Sequence, residues 1–489
     1  MGKSIKSLLE EKGPMLSGEL AKIYERENST TNANARQAIS RARSPVQKNK
    51  LIPFQNNQVF VYLEKQFMSE NYWDRLISAI AECSKTVYVI SNALISQGGF
   101  VSKNILPAYS MSPVNNLRGH KRYDMLLGKL AQAKIIMDYD DEYIQLTNRW
   151  PLTNYSLNIS RAKAIEISKK MVLNDFNDLT RKTNVISYNS GKYWSEFAHM
   201  QWGFTAPSYL QGISSWHSKK QTVAPGFILA DVILQQNASV ADVLFFVEKI
   251  NIIKSFKNIS NFVPTLIVYS VMSEAFDVLK KNNIAVAFID RVFGNTYIEL
   301  LDDLIYVITN AIAMVLSNPK KIDKIFDALA NMDGRYNNIV GDMFELMVAE
   351  FYRVLGVNYL EVNKQVSAAA TVSGKPKEID VLVDKDGTII VAECKATISM
   401  INEEFVEKWL SEKIVDIHNF LIGIYPSKKF EYQLWSTGGF ATAAAEKLLA
   451  VKTKTKRYKV SYFDKSDMVD YAKNNNAQGF LSHIRKHFP

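Results

Sequence analysis

The sequence predicts a multidomain α/β protein in which tandem helix-and-hairpin modules precede two larger α/β domains. At 489 residues the chain is too long for one core, and its length corresponds to about three or four domains. Hydrophobic residues make up 47% of the chain and charged residues 22%, which are ordinary values for a globular protein. From Tyr188 onward, short apolar strand patterns alternate with amphipathic helix patterns, an order typical of α/β domains.

The composition excludes several classes of protein. Only two cysteines, Cys83 and Cys394, are present, too few for a disulfide framework or a cysteine-based zinc site. The first residues lack the apolar core of a signal peptide. The longest apolar helix pattern, Leu304–Leu316, is too short to span a bilayer. We therefore expect a cytoplasmic protein that does not enter a membrane, and its net charge of +10 suits a polyanionic partner.

Residues 1–66 carry three helix patterns followed by a predicted hairpin. The second helix begins at Leu16, and the third ends before Pro45. The hairpin is predicted to pair Leu51–Phe54 with Val59–Leu63 across a short polar turn. Three helices followed by a hairpin resemble a winged helix-turn-helix, a module whose recognition helix enters the major groove of DNA.

The third helix of this module is the candidate recognition helix. Between Ser29 and Lys50 there are five basic residues and no acidic residue, which is the charge pattern of a nucleic-acid contact. Arginine and glutamine side chains read base edges and phosphates in the major groove. A solvated helix of a protein-interaction module would have a similar composition. The predicted DNA-binding residues are Arg36, Gln37, Ser40, Arg41 and Arg43.

Residues 70–150 repeat this plan in outline. An amphipathic helix begins at Tyr72, another follows from Arg122, and a loop rich in Ser, Pro and Asn separates them. A second hairpin is predicted to pair Ile135–Met137 with Tyr143–Leu146. Basic residues lie near the second helix, but the hairpin tip is acidic. This second winged-helix-like module could bind DNA or simply pack against its neighbours.

Residues 160–318 form the first predicted α/β domain. Tyr193–Trp202 has the pattern of a helix, and Gly226–Leu234 has the pattern of a strand. Val243–Ile250 is an apolar run that we interpret as another strand. A strand, a helix and a strand then follow, and a long amphipathic helix over 298–316 closes the domain.

Residues 320–489 form the second predicted α/β domain, whose central feature is a hairpin. Asp380 lies in the first strand of this hairpin, and the second strand ends in Glu393-Cys394-Lys395. Glu393 and Lys395 are two residues apart, so they share one face of the strand and Cys394 points to the other. Two acids and a lysine brought together are the minimum for metal-assisted phosphodiester hydrolysis. An exposed hairpin with an ordinary salt bridge is the alternative.

The elements around the hairpin strengthen the catalytic interpretation. A helix with a glutamate, a strand with an aspartate, a strand with E-x-K and then strand–helix–strand resemble the PD-(D/E)xK restriction-endonuclease-like nuclease superfamily. The resemblance covers roughly residues 335–470. It departs from the family pattern at Ile379, where a proline would precede the aspartate. The resemblance implies the catalytic residues Glu345, Asp380, Glu393 and Lys395.

The matching residues suggest a hard divalent cation. We expect the carboxylates of Asp380 and Glu393, with the Cys394 carbonyl, to bind Mg²⁺ or Mn²⁺, because their ligand atoms are oxygens. Lys395 would orient or deprotonate the attacking water. Glu345 would reach the metal through water or assist a second ion. Cys394 is a poor nucleophile candidate, since its side chain should face the core.

The two α/β domains look like two copies of one fold. Glu196 precedes Asp231 by the same 35 residues that separate Glu345 from Asp380. In the first copy, however, the lysine follows Glu248 directly rather than two positions later, which would turn it to the opposite strand face. We therefore interpret the first copy as a degenerate restriction-endonuclease-like domain. Chance similarity of two α/β units is the alternative.

These features together predict a Mg²⁺-dependent endonuclease that acts on double-stranded DNA and is targeted by its N-terminal winged helices. Separate reading and cutting modules suit restriction or anti-phage defence. With one intact site per chain, cutting both strands suggests a homodimer. The alternatives are a DNA-binding regulator or scaffold with inert nuclease folds, or a nuclease that acts on RNA or branched DNA.

Overall fold

The computed structural model describes residues 2–147, 157–217, 221–317, 337–454 and 457–488, together with 322, 324 and 325. The chain divides into two compact units. One comprises Met1–Ile165 and Lys169–Asn295, and the other comprises Glu166–Ser168 and Thr296–Pro489. Helices and strands alternate in both units, and the described residues form five β-sheets. The predicted mixed α/β class with several sheets is confirmed.

The N-terminal module combines three helices with a small sheet. Ser4 accepts a hydrogen bond from the backbone N–H of Ser7 at the start of the first helix, and Thr31 does the same for Asn34 at the start of the third. The strands pair antiparallel in the order β1-β3-β2. The elements are α1 (Ile5–Lys12), β1 (Met15–Leu16), α2 (Ser17–Asn28), α3 (Asn32–Arg41), β2 (Val46–Asn49) and β3 (Phe60–Leu63).

The predicted hairpin of this module has the wrong first strand. Val46–Asn49, not Leu51–Phe54, pairs with Phe60–Leu63. The Asn49 side chain accepts a hydrogen bond from the backbone N–H of Leu51, a turn contact that ends the strand. The segment that follows contains Pro53, which cannot donate to a ladder. Its apolar residues are buried in irregular backbone instead of in a sheet.

The second module repeats the sheet of the first. Its strands pair in the order β4-β6-β5, which confirms the predicted second hairpin. An additional helix, α5, occupies the segment directly after the first predicted helix. The elements are α4 (Glu70–Cys83), α5 (Lys85–Ser96), β4 (Phe100–Ser102), a 3₁₀ turn (Leu106–Tyr109), α6 (Tyr123–Gln132), β5 (Ile136–Asp138) and β6 (Tyr143–Leu146).

A five-stranded mixed sheet follows, in the order β13-β12-β11-β8-β7. A short hairpin, β9 and β10, is inserted before its third strand. The predicted strands near 226–234 and 264–270 and the helix near 273–282 are confirmed. The elements are α7 (Ile159–Lys182), β7 (Lys192–Phe197), β8 (Met200–Ser208), β9 (Ser215–His217), β10 (Thr222–Ala224), β11 (Gly226–Ile233), α8 (Val240–Lys254), β12 (Phe262–Val268), α9 (Ser273–Lys281), β13 (Ala285–Phe288) and α10 (Ile289–Phe293).

Two element predictions in this region are wrong. Tyr193–Trp202 is not a helix but lies in the hairpin of β7 and β8, where buried Met200, Trp202 and Phe204 alternate along the strand. Val243–Ile250 is not a strand but lies within α8. Its apolar run fits a helix buried on several sides as well as it fits a strand. The decisive signal precedes it: Ser239 and Asp242 form a capping box.

As a result, two acidic residues of the first copy do not occupy the expected elements. Glu196 lies on β7 and accepts a hydrogen bond from Asn115 at 2.6 Å. Glu248 lies on α8 and pairs with Lys85 at 3.1 Å. Glu196 lies on a strand where the 35-residue spacing predicted a helix, and Glu248 lies on a helix where the comparison with Glu393 predicted a strand, so that alignment of the two copies is wrong.

The C-terminal sheet has the order β14-β15-β16-β17-β18. The predicted helices and strands after 340 are confirmed, and β14 is an additional edge strand. A π-turn over Trp409–Lys413 interrupts the long crossover helix. The elements are α11 (Asn295–Thr309), α12 (Ala311–Ser317), α13 (Asn337–Val354), β14 (Tyr359–Val366), β15 (Lys377–Lys385), β16 (Thr388–Lys395), α14 (Glu403–Lys408), α15 (Ile414–Ile424), β17 (Lys429–Ser436), α16 (Thr442–Lys454), β18 (Lys459–Phe463), α17 (Lys465–Asn474) and α18 (Gln478–His487).

The two five-stranded sheets have the same topology. In each sheet the first three strands, in chain order, pair antiparallel. The fourth strand then pairs parallel with the third, and the fifth pairs parallel with the fourth. By this topology β11 corresponds to β16, and β8 corresponds to β15. Asp231, on β11, therefore corresponds to Glu393 and not to Asp380.

Candidate active site

The predicted acids and lysine meet at one end of the C-terminal sheet. Val381 pairs with Ala392 in the antiparallel register of β15 and β16, which makes Asp380 and Glu393 neighbours across the two strands. Both carboxylates are buried, each with 5% of its surface exposed. Lys395 follows at the end of β16 with 36% of its side chain exposed. The sheet thus places two buried acids beside a lysine that solvent can reach.

Asp380 is fixed by the backbone of the neighbouring strand. The N–H of Cys394 donates to its Oδ2 at 2.7 Å. Burial raises the pKa of Asp380, and the nearby charge of Glu393 raises it further. Two carboxylates held this close repel each other, so the site gains stability from any cation placed between them.

Glu393 lies between two lysines. Its Oε1 is 2.8 Å from the Lys395 Nζ, and its Oε2 contacts the Lys413 Nζ. Burial alone would raise the pKa of Glu393, but Lys395 and Lys413 outweigh burial and lower it to about 2. Glu393 is therefore a carboxylate throughout the physiological pH range.

Lys413 is a member of the site that the sequence reasoning missed. Its Nζ contacts Glu393 and lies 3.6 Å from the Asp380 Oδ1. The residue ends the π-turn between α14 and α15, and such single-turn widenings are frequent at functional sites. One signal was available: Lys413 falls four residues from both Trp409 and Ile417, which are buried. A lysine within the apolar stripe of an amphipathic helix is unusual.

Glu345 and Cys394 lie close to this group. Glu345 is half-buried on α13, and its charge contributes to raising the pKa of both Cys394 and Lys395. The Cys394 thiol is buried, and burial above all raises its pKa well above the ordinary value. A protonated, buried thiol is inert as a nucleophile, as the sequence predicts.

The donor set fits a hard divalent cation with few protein ligands. Among the described residues, no group of three or more His, Cys, Asp or Glu side chains is arranged for a metal. Asp380 and Glu393 offer two carboxylates on neighbouring strands. Mg²⁺ is commonly bound through one or two carboxylates, with water and phosphate oxygens completing its shell. Two carboxylates thus match the number of protein ligands that Mg²⁺ commonly takes, although both oxygens of Glu393 pair with lysines in this structure.

The predicted DNA-binding residues all lie on the solvent side of the N-terminal module. Ala35 and Ile39 anchor α3 in the core. A groove of about 770 Å³ runs between α3, α2 and the loop before β3. Its lining includes Arg36 and Ser40, together with Lys22, Lys48 and Lys50. All five predicted residues are exposed on or just after α3, namely Arg36, Gln37, Ser40, Arg41 and Arg43.

Three lysines that the sequence analysis did not single out line this groove beside the predicted residues. Lys48 is not free, because its Nζ donates to the carbonyls of Ser40 and Ala42 and so closes the C-terminal end of α3. Lys22 comes from a different helix, and its proximity to α3 depends on how the two helices pack. The groove is not uniformly basic, since Glu19 and Glu82 also line it.

No protein-family profile, curated protein or solved structure matches this chain. No helix in the described part of the chain is long and apolar enough to cross a membrane. The function must therefore be argued from the geometry of the site.

Proposed function

We propose that this protein is a Mg²⁺- or Mn²⁺-dependent nuclease of the PD-(D/E)xK type that hydrolyses phosphodiester bonds in double-stranded DNA. The observation that carries the proposal is the meeting of Asp380, Glu393 and Lys395 at one sheet end, beside Glu345. Burying two carboxylates side by side is costly unless they are paired with cations. Their presence beside an accessible lysine favours a catalytic role.

Each residue has a distinct role in this proposal. A divalent cation, when bound, would polarise the phosphoryl group and supply a reactive water. Asp380 and Glu393 hold that cation, and Glu345 assists from the neighbouring helix. The carboxylates raise the pKa of Lys395 above its ordinary value, outweighing burial. Lys395 is thus a cation, which favours orienting the water and stabilising phosphoryl charge over deprotonating that water.

The two N-terminal modules would bring DNA to this site. The exposed basic face of α3 and the adjoining groove suit contact with phosphates and base edges. The net charge of +10 supports a polyanionic partner. Restriction or anti-phage defence in the cytoplasm is the setting that separate reading and cutting modules suit. A homodimer would supply the second active site that cutting both strands requires.

Cleavage of plasmid DNA in the presence of Mg²⁺ tests the catalytic proposal. Lys395→Ala is expected to reduce the cleavage rate by at least about 100-fold, since a charge-stabilising group is lost. Lys459→Ala is a matched control, because Lys459 is an exposed lysine of the same sheet that pairs with Glu431. Equal cleavage by the unaltered protein and Lys395→Ala would refute the mechanism.

A DNA-binding regulator or scaffold is the second candidate, and one observation favours it. Lys413 contacts Glu393 and approaches Asp380, so an ammonium group already neutralises the acids. Calorimetry separates the two candidates. A nuclease should bind Mn²⁺ in a manner that depends on Asp380, whereas a regulator should not. A panel of duplex, single-stranded, branched and RNA substrates then defines what is cut.

A further inference from the structure

Exposed apolar side chains lie in two segments that adjoin elements of the candidate active site. Ile398 and Met400, which follow Lys395 by three and five residues, are 83% and 66% exposed. Val372, in the loop before β15, is 70% exposed. Single exposed apolar residues are common on protein surfaces. Ile398 and Met400 differ from such isolated residues because they are two positions apart and directly follow the strand of Lys395.

The segment that carries Ile398 and Met400 is held firmly at both ends. The Thr397 N–H donates to the Thr437 Oγ1 at 2.9 Å, and that hydroxyl donates back to the Thr397 carbonyl at 3.0 Å. Ile401 is buried and bridges to Phe440. A firmly held backbone loses little conformational entropy when its side chains bind a partner. We call Thr397–Ile401 the apolar loop.

The loop that carries Val372 is also anchored. The buried carboxylate of Asp416 accepts hydrogen bonds from the backbone N–H groups of Val372 and Ser373 at 2.8 and 2.9 Å. Asp416 lies three residues after Lys413 on the crossover helix, so it is about one helical turn from the site. Val372 is therefore presented from the side of Lys413, and the apolar loop from the side of Lys395.

We propose that Ile398 and Met400 insert between base pairs next to the scissile phosphate and open the duplex there. This inference rests on the proposed nuclease function. Three extended residues span at most about 10 Å, so Ile398 is within reach of the bases attached to a phosphate at Lys395. Isoleucine and methionine are among the side chains that proteins use as wedges in base steps. Neither side chain can form hydrogen bonds with phosphates, so their exposure here suits bases.

A comparison of paired and unpaired substrates tests this inference. The variant Ile398→Ser/Met400→Ser is expected to cut a fully paired duplex at least about tenfold more slowly, because unstacking a base step takes a few kcal/mol. It should cut the same sequence with a preformed unpaired bubble within about twofold of the unaltered rate, since no unstacking remains to be done.

A matched control replaces two exposed apolar residues far from the site. Ile422 and Ile424 are 45% and 49% exposed near the end of α15, about 13–16 Å beyond Lys413 along the helix. Ile422→Ser/Ile424→Ser should leave both rates unchanged. Mn²⁺ binding by calorimetry should be the same for all three proteins, because neither double variant alters a carboxylate of the site.

The outcomes separate the wedge from the nuclease. If the unaltered protein cuts both substrates and the apolar-loop variant loses the same factor on each, or loses nothing, the wedge is refuted and the nuclease stands. If the unaltered protein cuts neither substrate, both proposals fail. If sedimentation shows that the apolar-loop variant alone dissociates a dimer, these residues form a self-association surface and the wedge is overturned.

Discussion

The two five-stranded sheets share one strand order and one pattern of strand directions, yet only the C-terminal sheet ends in an accessible charged site. Both retain an acid near the end of the third strand and a lysine from the crossover helix. In the C-terminal sheet these are Glu393 and Lys413. In the other sheet they are Asp231 and Lys249, 3.1 Å apart and both completely buried.

The neighbours of these pairs differ. Where the C-terminal sheet has Asp380, the other sheet has Gly203, whose N–H donates to the Asp231 carboxylate at 2.8 Å. Where the C-terminal sheet has Lys395, the other has Ile233. Lys249 also donates to the carbonyls of Ala108 and Gln201, so groups from the second module and from β8 close around it.

The charge states of the pairs diverge accordingly. Burial raises the pKa of Asp231 and lowers the pKa of Lys249, and in each case it opposes the attraction between the two groups. In the C-terminal sheet the charges of Asp380 and Glu393 outweigh burial and raise the pKa of Lys413. The completely buried pair of Asp231 and Lys249 is thus a structural contact. The C-terminal pair instead has a second acid and a second, accessible lysine beside it, which make it a charged site that solvent reaches.

The largest loss of stability is expected when Lys249, the completely buried lysine, is replaced. Lys249→Met leaves Asp231 buried without a cation, which should destabilise β11 by about 3–5 kcal/mol. Hydrogen–deuterium exchange of residues 226–233 measures this opening free energy. Adding Asp231→Asn should recover part of the loss, because the uncompensated charge is removed.

Lys413→Met is the counterpart in the C-terminal sheet and should destabilise β16 less. Glu393 keeps Lys395 at 2.8 Å, and 22% of the Lys413 side chain is exposed. Equal losses of stability for Lys249→Met and Lys413→Met would show that the two buried pairs stabilise their sheets equally.

Gly203→Ala tests why the first copy has no second acid. A Cβ at this position would lie 2.6 Å from the Asp231 Oδ1 and 3.3 Å from the Ala230 carbonyl. We expect a loss of about 1–3 kcal/mol from overpacking. Gly128→Ala is the control, because it lies in α6 with nothing within 4 Å, and it should stabilise that helix slightly. A neutral Gly203→Ala in thermal unfolding would contradict the close approach.

Asp380→Asn and Asp231→Asn should affect Mn²⁺ binding differently. The first removes a proposed ligand and should weaken affinity at least about tenfold, the scale that even outer-shell partners contribute. The second alters an acid without a second carboxylate beside it and should leave affinity unchanged. Calorimetry measures the Mn²⁺ affinity of both variants. Identical affinities would contradict a metal site that is confined to the C-terminal sheet.

The smallest effect is expected at Asp416, which anchors the loop before β15. In the other five-stranded domain the corresponding position, three residues after Lys249, is Ile252. Burial alone would raise the pKa of Asp416, but hydrogen bonds from Ser373 outweigh it and keep the pKa below the ordinary value. Its stabilisation is therefore present above a pH of about 4 and is lost as the pH falls through the folded-state pKa.

Asp416→Asn should consequently destabilise the protein by about 1 kcal/mol at pH 7 and by less at pH 3. Urea unfolding at the two pH values measures the difference. Asp470→Asn is the control, since Asp470 is 70% exposed in its pair with Lys473 and should have almost no effect. A loss that is equal at both pH values would contradict the depressed pKa.

The sequence by itself determined much of the C-terminal site. Alternation of apolar and charged residues predicts β15 and β16, and Asp386 and Gly387, both with positive φ, form the turn between them. Because side chains alternate on a strand, spacing alone predicts that Glu393 and Lys395 share a face and that Cys394 is buried. These are local properties, and residues within one hairpin suffice to express them.

Only the tertiary structure decided the remaining features of the site, because the contacts that form them join segments that are distant in the sequence. The run Val243–Ile250 is an exception, because Ser239 and Asp242 before it form a capping box that marks a helix start, although apolar content alone does not distinguish a buried helix from a buried strand. Lys413 reaches Glu393 across 20 residues through the path of the crossover helix and its π-turn. Whether an acid–lysine pair is sealed or accessible depends on which other segments cover it, and spacing in the sequence carries no such information.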